Sequence, residues 1–127
     1  CPVFAEKGGG VVVNISSVMG VIAPNQSIYG DSFKPITYSA AKHGIIGMTK
    51  YLATYYAQSN VRVNALSPGG VSDNQPEEFV DKLTNLIPMN RMADKTEYKG
   101  SIVFLCSDAS SYMTGHNLVV DGGMTAW

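Results

Sequence analysis

The feature that most constrains the fold is a run of β-branched residues near the start of the chain. Val11–Val13 and Ile15 come directly after three consecutive glycines. A short, continuous apolar run that follows turn residues is typical of a strand buried on both faces, as in a parallel sheet. A second run of this kind lies within residues 61–70, and a third, shorter one precedes the Asp-Gly-Gly turn at 121–123.

Between the first two runs the pattern becomes helical. Residues from Tyr38 to about Ser59 predict a long helix, because apolar side chains recur there at three- and four-residue steps. These side chains are Ile45, Met48, Leu52 and Tyr55. Gly44 and Gly47 weaken a helix by about 1 kcal/mol each relative to Ala, so their presence predicts a close backbone approach to a neighbouring element.

Two further helices are predicted after the second strand. Residues 74–88 form one, with Pro76 in the first turn and two glutamates facing the positive end of the helix dipole. Asp94 followed by Glu97 resembles a capping box and predicts the start of another helix.

The resulting order is strand, loop, helix, strand, helix, helix, strand, which indicates an α/β fold with a parallel sheet covered by helices. The three strands are expected near residues 11–16, 61–66 and 118–121. Ligands of such sheets bind at the carboxyl ends of the strands. Ser17, Pro68 and Gly69 are expected at those ends.

Residues 20–37 are rich in Gly, Pro, Asn and Ser and predict a loop. Long loops near sites are often functional. This loop therefore either walls a substrate pocket, with Tyr29 and Phe33 as possible contacts, or is a surface excursion pinned by those two rings.

Tyr38 and Lys42 are four residues apart, so both lie on one face of the predicted helix. A nearby ammonium favours the phenolate form of a tyrosine, and such a pair can exchange a proton with an alcohol or a carbonyl. A hydroxyl such as that of Ser17 can stabilise the same oxygen as charge develops on it.

Composition excludes several classes of function. The 127 residues are enough for one domain, and 45% are hydrophobic, so a buried core is expected. A net charge of −1 without a basic stripe predicts no nucleic-acid partner and no membrane binding, and no apolar run is long enough to span a bilayer. Cys1 and Cys106 are too few for a disulfide framework and indicate free thiols in a reducing cytoplasm. His43 and His116 have no ligand cluster, so no metal is expected.

Four segments, in this order, resemble the short-chain dehydrogenase/reductase family: GGGVVVNISSVMG, YSAAKHGIIGMTKYLA, VRVNALSPGGV and SDASSYMTGHNLVVDGG. The resemblance covers nearly the whole chain. It implies that residues 1–127 are the carboxyl-terminal half of a doubly wound parallel-sheet (Rossmann-type) domain, with the amino-terminal cofactor-binding half absent. The implied activity is NAD(P)-dependent interconversion of an alcohol and a carbonyl on a small-molecule substrate.

The family's catalytic serine, tyrosine and lysine match Ser17, Tyr38 and Lys42, and in the family the lysine also holds the nicotinamide ribose. The resemblance assigns cofactor binding to Tyr38, Lys42, Pro68, Gly69 and Val71, the last through its backbone amide. Asp73 departs from the family, which often has threonine there. Aspartate can accept a hydrogen bond from the carboxamide but cannot donate one.

The family's glycine-rich phosphate-binding turn has no counterpart here. No G-x-G-x-x-G occurs, and Gly8–Gly10 precede a strand instead of following one. The family's active-site asparagine would lie upstream of Cys1. The residue that selects the cofactor is also missing, so the sequence predicts NAD or NADP without choosing between them. These residues alone are expected to be inactive.

Two other functions stay open. A sugar-nucleotide epimerase or dehydratase shares the Tyr-x-x-x-Lys pair but usually lacks the SPGG and DGG segments. A truncated, non-catalytic oligomerising or binding module would explain the missing turn. Reduced-cofactor absorbance during turnover separates this module from the oxidoreductase.

The long helix also carries Tyr51, Tyr55 and Tyr56. Apolar surface on more than one side of a helix predicts burial on both sides. In the family the equivalent helix packs against its copy, so a homo-oligomer, a dimer or a tetramer, is expected.

Overall fold

The computed structural model describes all residues, 1–127. Its sheet has three strands in the order β1-β2-β3: β1 (Gly10–Ile15), β2 (Val61–Pro68) and β3 (Asn117–Val120). Both pairings are parallel, with Gly10 opposite Val61 and Ala65 opposite Asn117. The predicted parallel α/β sheet is confirmed, and the central strand runs two residues further than expected.

The four α-helices are α1 (Pro2–Glu6), α2 (Ile36–Tyr56), α3 (Glu77–Thr84) and α4 (Lys99–Cys106). Helix α1 was not predicted, since five residues carry too little periodicity. Helix α2 begins two residues before Tyr38 and is followed by a 3₁₀ turn, Ala57–Ser59.

Helices α2 and α4 cover opposite faces of β2. Val61 and Val63 of β2 pack against Ala53 of α2. The guanidinium of Arg62, one residue along, donates hydrogen bonds of 3.2 and 3.1 Å to the carbonyls of Leu105 and Ser107 at the end of α4. Because successive side chains of a strand point to opposite faces, the sheet is covered on both sides, as a doubly wound fold requires.

Only part of the apolar period of α2 faces the sheet: Leu52 packs against the cluster around Ala53, whereas Met48 and Tyr55 are exposed. Thr49 and Ala53 are each only 1% exposed, whereas Met48 is 47% and Tyr55 66% exposed. Asn14 of β1 donates a hydrogen bond of 2.9 Å to the Thr49 hydroxyl, which fixes the helix on the sheet. Small side chains form this face because they let the helix approach the sheet closely.

Within the chain, Gly44 and Gly47 make no close approach to another element. A Cβ added at either position would have no atom within 4 Å. The close approach is made by Gly20, where a Cβ would lie 2.6 Å from the Ser16 hydroxyl and 2.7 Å from the Lys42 carbonyl oxygen.

A second cluster of buried side chains lies under the loop that precedes α2. Its members are Val18, Met19, Ile28, Leu83, Ile87 and Met124. Ile28 belongs to the 3₁₀ turn Gln26–Tyr29, so the loop of residues 20–37 is anchored in the core and is not wholly irregular. The predicted capping box is confirmed: Asp94 and Glu97 cap a 3₁₀ turn, Lys95–Tyr98, that leads into α4.

No helix of the chain combines the length and the apolar composition that crossing a membrane requires.

Candidate active site

Three segments meet at the carboxyl ends of β1 and β2 and enclose a cavity of about 270 Å³. They are the turn after β1, the 20–37 loop with the start of α2, and the segment that runs from Gly69 into α3. Polar side chains in its wall are Ser17, Tyr29, Lys34, Tyr38 and Gln75. Apolar ones are Val18, Met19, Phe79, Leu83, Met92 and Met124.

The cavity brings together four of the sequence-predicted site residues, which are Ser17, Tyr38, Gly69 and Val71. Lys42 and Pro68 do not line it. Lys34 also lines the cavity, and no sequence pattern predicts this, because its position depends on the path of an irregular loop.

Ser16 and Ser17 at the end of β1 have different tasks. The Ser16 hydroxyl donates a hydrogen bond of 2.8 Å to the Lys42 carbonyl and so ties β1 to α2. The Ser17 hydroxyl accepts a hydrogen bond of 3.1 Å from the Met19 amide. Its own proton has no acceptor within the chain, and it remains available for an oxygen in the cavity.

Tyr38 occupies the first turn of α2, and Lys42 follows one turn later. The Lys42 ammonium donates a hydrogen bond of 3.2 Å to the carbonyl of Ile15 and lies 5.6 Å from the centroid of the Tyr38 ring. An ammonium has three donors, so two of them remain free. The tie to β1 thus holds the positive charge beside the phenol.

Lys34 lies closer to Tyr38 than Lys42 does. Its ammonium is 4.0 Å from the centroid of the Tyr38 ring, a distance typical of a cation–π contact. The Gln26 side chain holds the Lys34 backbone at both polar groups, accepting from its amide at 2.9 Å and donating to its carbonyl at 3.1 Å.

Tyr29 also comes from the 20–37 loop, and its ring centroid lies 5.6 Å from that of Phe79 on α3. Burial raises the pKa of the Tyr29 hydroxyl, and the neighbouring Tyr38 raises it further. Tyr29 is therefore a neutral hydrogen-bonding group in the wall. Phe33, by contrast, is 70% exposed, so the loop contributes one of its two aromatic rings to the cavity.

The segment after β2 lies tightly against the end of β3. A Cβ at Gly69 would be 2.8 Å from the Cα of Asp121, so only glycine fits there. The Gln75 side chain stabilises the segment by two hydrogen bonds. It donates one of 2.7 Å to the Val71 carbonyl and accepts one of 2.7 Å from the Asp73 amide.

The amides of Gly70 and Val71 donate to no acceptor within the chain. Both amides can therefore donate a hydrogen bond to a group bound in the cavity. The carboxylate of Asp73 makes no hydrogen bond and no ion pair, so Asp73 contacts Gln75 only through its backbone amide.

The arrangement can exchange a proton at the Tyr38 hydroxyl, hold a reacting oxygen at Ser17, and present backbone amides to a planar amide group. These features, on a parallel sheet covered on both faces, define a Rossmann-type domain with its ligand site at the strand ends.

Comparison with known proteins agrees with this class. A family model described as enoyl-(acyl carrier protein) reductase matches residues 2–125. The post-translational flagellin modification protein A of Campylobacter coli is 38% identical over 122 residues, which are 94% of this chain and 48% of that protein.

Two solved structures have the same fold. The short-chain dehydrogenase of Leptospira borgpetersenii with bound NAD+ is 39% identical, with a TM-score of 0.92 over 98% of this chain and 48% of that one. A gluconate 5-dehydrogenase from Burkholderia cenocepacia, in complex with NADP and tartrate, is 27% identical, with a TM-score of 0.88 over 99% of this chain and 49% of that one.

The chain therefore belongs to the short-chain dehydrogenase/reductase family. It spans about half the length of the curated relatives it matches.

Proposed function

We propose that the complete protein is an oxidoreductase that interconverts an alcohol and a carbonyl with NAD or NADP. The observation that carries the proposal is the presence of Ser17 and Tyr38 in one cavity wall, with the unpaired amides of Gly70 and Val71 beside them. Membership of a family whose solved relatives bind NAD+ and NADP supports a nicotinamide cofactor without selecting one.

The proposal assigns different roles to Tyr38, Ser17 and Lys42. Tyr38 takes the hydroxyl proton of an alcohol during oxidation and returns it to the carbonyl oxygen during reduction. Ser17 donates a hydrogen bond to the same oxygen, on which charge develops. Lys42 keeps a positive charge near the phenol and has two free donors for ribose hydroxyls.

Lys42, Tyr38, Pro68, Gly69 and Val71 would hold the nicotinamide end of the cofactor. When bound, the nicotinamide ring accepts or supplies the hydride that balances the proton handled by Tyr38. The apolar wall formed by Met19, Phe79 and Leu83 excludes water from the reacting carbon and strengthens the electrostatic interactions within the cavity.

The test is Tyr38→Phe in the complete protein, which removes one hydroxyl. Turnover of a panel of secondary alcohols, followed by NADH or NADPH absorbance, is expected to fall by about 100-fold or more. Tyr112→Phe is the matched control, since Tyr112 is fully exposed and does not line the cavity.

Circular dichroism should show that both variants keep the fold. A near-normal rate for Tyr38→Phe would mean that another group moves the proton. Folded wild-type protein that binds neither cofactor would favour a non-catalytic binding module instead.

A further inference from the structure

Lys34 is the only charged side chain that lines the cavity with Ser17 and Tyr38. Its ammonium lies over the Tyr38 ring, 4.0 Å from the centroid, next to the proposed site of proton exchange. The chain's two ion pairs are Glu78–Lys82 and Arg91–Glu97, so no carboxylate neutralises Lys34.

The backbone of Lys34 is held in place on both sides of the residue. Gln26 binds both of its backbone polar groups, at 2.9 and 3.1 Å. Pro35 follows, with its φ fixed by the ring, and α2 begins at the next residue. Together these contacts fix the Lys34 backbone at the mouth of the cavity.

We propose that Lys34 receives an anionic group of the substrate, a carboxylate or a phosphate, while the carbon that bears the hydroxyl or carbonyl faces Tyr38. A half-buried ammonium without a counter-ion has lost part of its hydration, and an anion compensates that loss in a way that a neutral group cannot. The remaining wall is largely apolar, which suits a small substrate with one charged end and a short apolar body.

The proposal rests on the function proposed above and names its substrate class. In the oxidative direction the hydride leaves the hydroxyl-bearing carbon for the nicotinamide and the hydroxyl proton goes to Tyr38. The anionic group is unchanged in the reaction and only orients the substrate. Lys34 is therefore a specificity residue, distinct in role from Lys42, which contacts the end of β1.

The experiment measures binding and does not need turnover. The complete protein, saturated with NAD or NADP, is titrated by calorimetry with butyrate, with methyl phosphate and with neutral butanamide. We expect at least one anion to bind about tenfold or more tightly than butanamide, because a hydrogen bond between two charged groups is stronger than one to a neutral group. Which anion binds tighter distinguishes a carboxylate from a phosphate substrate.

Lys34→Met is expected to remove the preference for the anion and leave the affinity for butanamide unchanged, whereas Lys34→Arg keeps the preference. Lys50→Met is the matched control, because Lys50 is exposed on α2 and does not line the cavity. Melting temperatures check that each variant is folded.

Anions that bind no tighter than butanamide to the wild type, including the case in which no probe binds, overturn the proposal. So does an anion preference that survives Lys34→Met. Either result leaves the Tyr38→Phe experiment as a separate test of the oxidoreductase function.

Discussion

Gly20 lies between the end of β1 and α2, at a point with no room for a side chain. A Cβ there would meet the Ser16 hydroxyl and the Lys42 carbonyl, the two groups joined by a hydrogen bond of 2.8 Å. We expect Gly20→Ala to lower the free energy of unfolding by about 1–3 kcal/mol, because overpacking forces the backbone to shift. Urea unfolding of the complete protein measures this loss.

Gly100→Ala is the control for Gly20→Ala. Gly100 lies in the first turn of α4, and a Cβ built there would have no atom within 4 Å. Alanine in a helix is favoured over glycine by about 0.5–1 kcal/mol, so stability should stay the same or rise. Equal losses in the two variants would contradict the packing explanation.

Because of the Arg91–Glu97 ion pair, we expect the stability of the fold to depend on pH. Hydrogen bonds from Arg91 and from the Asp94 amide lower the pKa of Glu97 from 4.5 to about 2. Between these values the unfolded chain binds the proton and the folded one does not, so the pair stabilises the fold above pH 4.5 and loses this effect as the pH falls towards 2.

The difference in melting temperature between wild type and Glu97→Gln should therefore be largest near neutral pH and shrink as the pH falls through this window. Because the pair is exposed, the difference should also shrink at high salt. A difference that does not change with pH would show that Glu97 acts through packing and not through its charge.

The proximity of Tyr38 and Lys42 could be predicted from their spacing in the sequence, whereas that of Tyr38 and Lys34 could not. Tyr38 and Lys42 are neighbours because a helix places residues i and i+4 on one face. Lys34 reaches the same tyrosine because Gln26 closes an irregular segment across eight residues, through contacts that leave no period in the sequence.

At the scale of elements, helix α2 has two contact surfaces that share one helical period. Its large apolar side chains Met48, Tyr51 and Tyr55 are exposed, whereas the small side chains of Thr49 and Ala53 are buried against the sheet. A helix with two contact surfaces has two overlapping patterns, so apolar spacing alone does not say which of them faces the sheet. The existence and length of the helix were still predictable, because both surfaces share the helical period.

The exposed side of α2 predicts self-association of the complete protein. The rings of Tyr51 and Tyr55 stack with centroids 5.9 Å apart, and both residues are about two-thirds exposed, at 65% and 66%. A pair of this kind is a suitable centre for an interface between two copies, since a few residues carry most of the energy of an interface and tyrosine is enriched among them.

Light scattering of the complete protein at micromolar concentration should give the mass of a dimer or a tetramer. Tyr51→Glu combined with Tyr55→Glu should lower that mass, because the substitution places like charges in an apolar contact. Lys7→Glu, outside α2, is the control and should not change it. A wild-type monomer would contradict the prediction.

At the scale of the whole molecule, the sheet could be predicted because its strands are continuous apolar runs, although only β2 is largely buried and β1 and β3 are partly buried. Continuous apolar runs such as Val11–Val13 are typical of the strands of a covered parallel sheet, and successive strands linked by crossover helices pair in parallel. The exact pairing register follows from packing across the sheet and has no local signal. Helix α1 could not be predicted for the same reason. It is positioned by the contact of the Phe4 ring with Gly10, which is a tertiary contact without a local signal.

The last prediction concerns what residues 1–127 can do by themselves. They hold groups suited to the nicotinamide end of a cofactor, but no G-x-G-x-x-G turn between a strand and a helix to bind its pyrophosphate, and Gly8–Gly10 lead into β1. Remote parts of a ligand supply much of the affinity that positions its reacting ring, so their loss should cost several kcal/mol, or about a thousandfold or more in affinity. Calorimetric titration of the folded 127-residue chain with NAD and with NADP should therefore show no micromolar binding, whereas the complete protein in the same buffer binds at least one of them. A micromolar dissociation constant for the short chain would show that the strand-end site alone is sufficient to hold the cofactor.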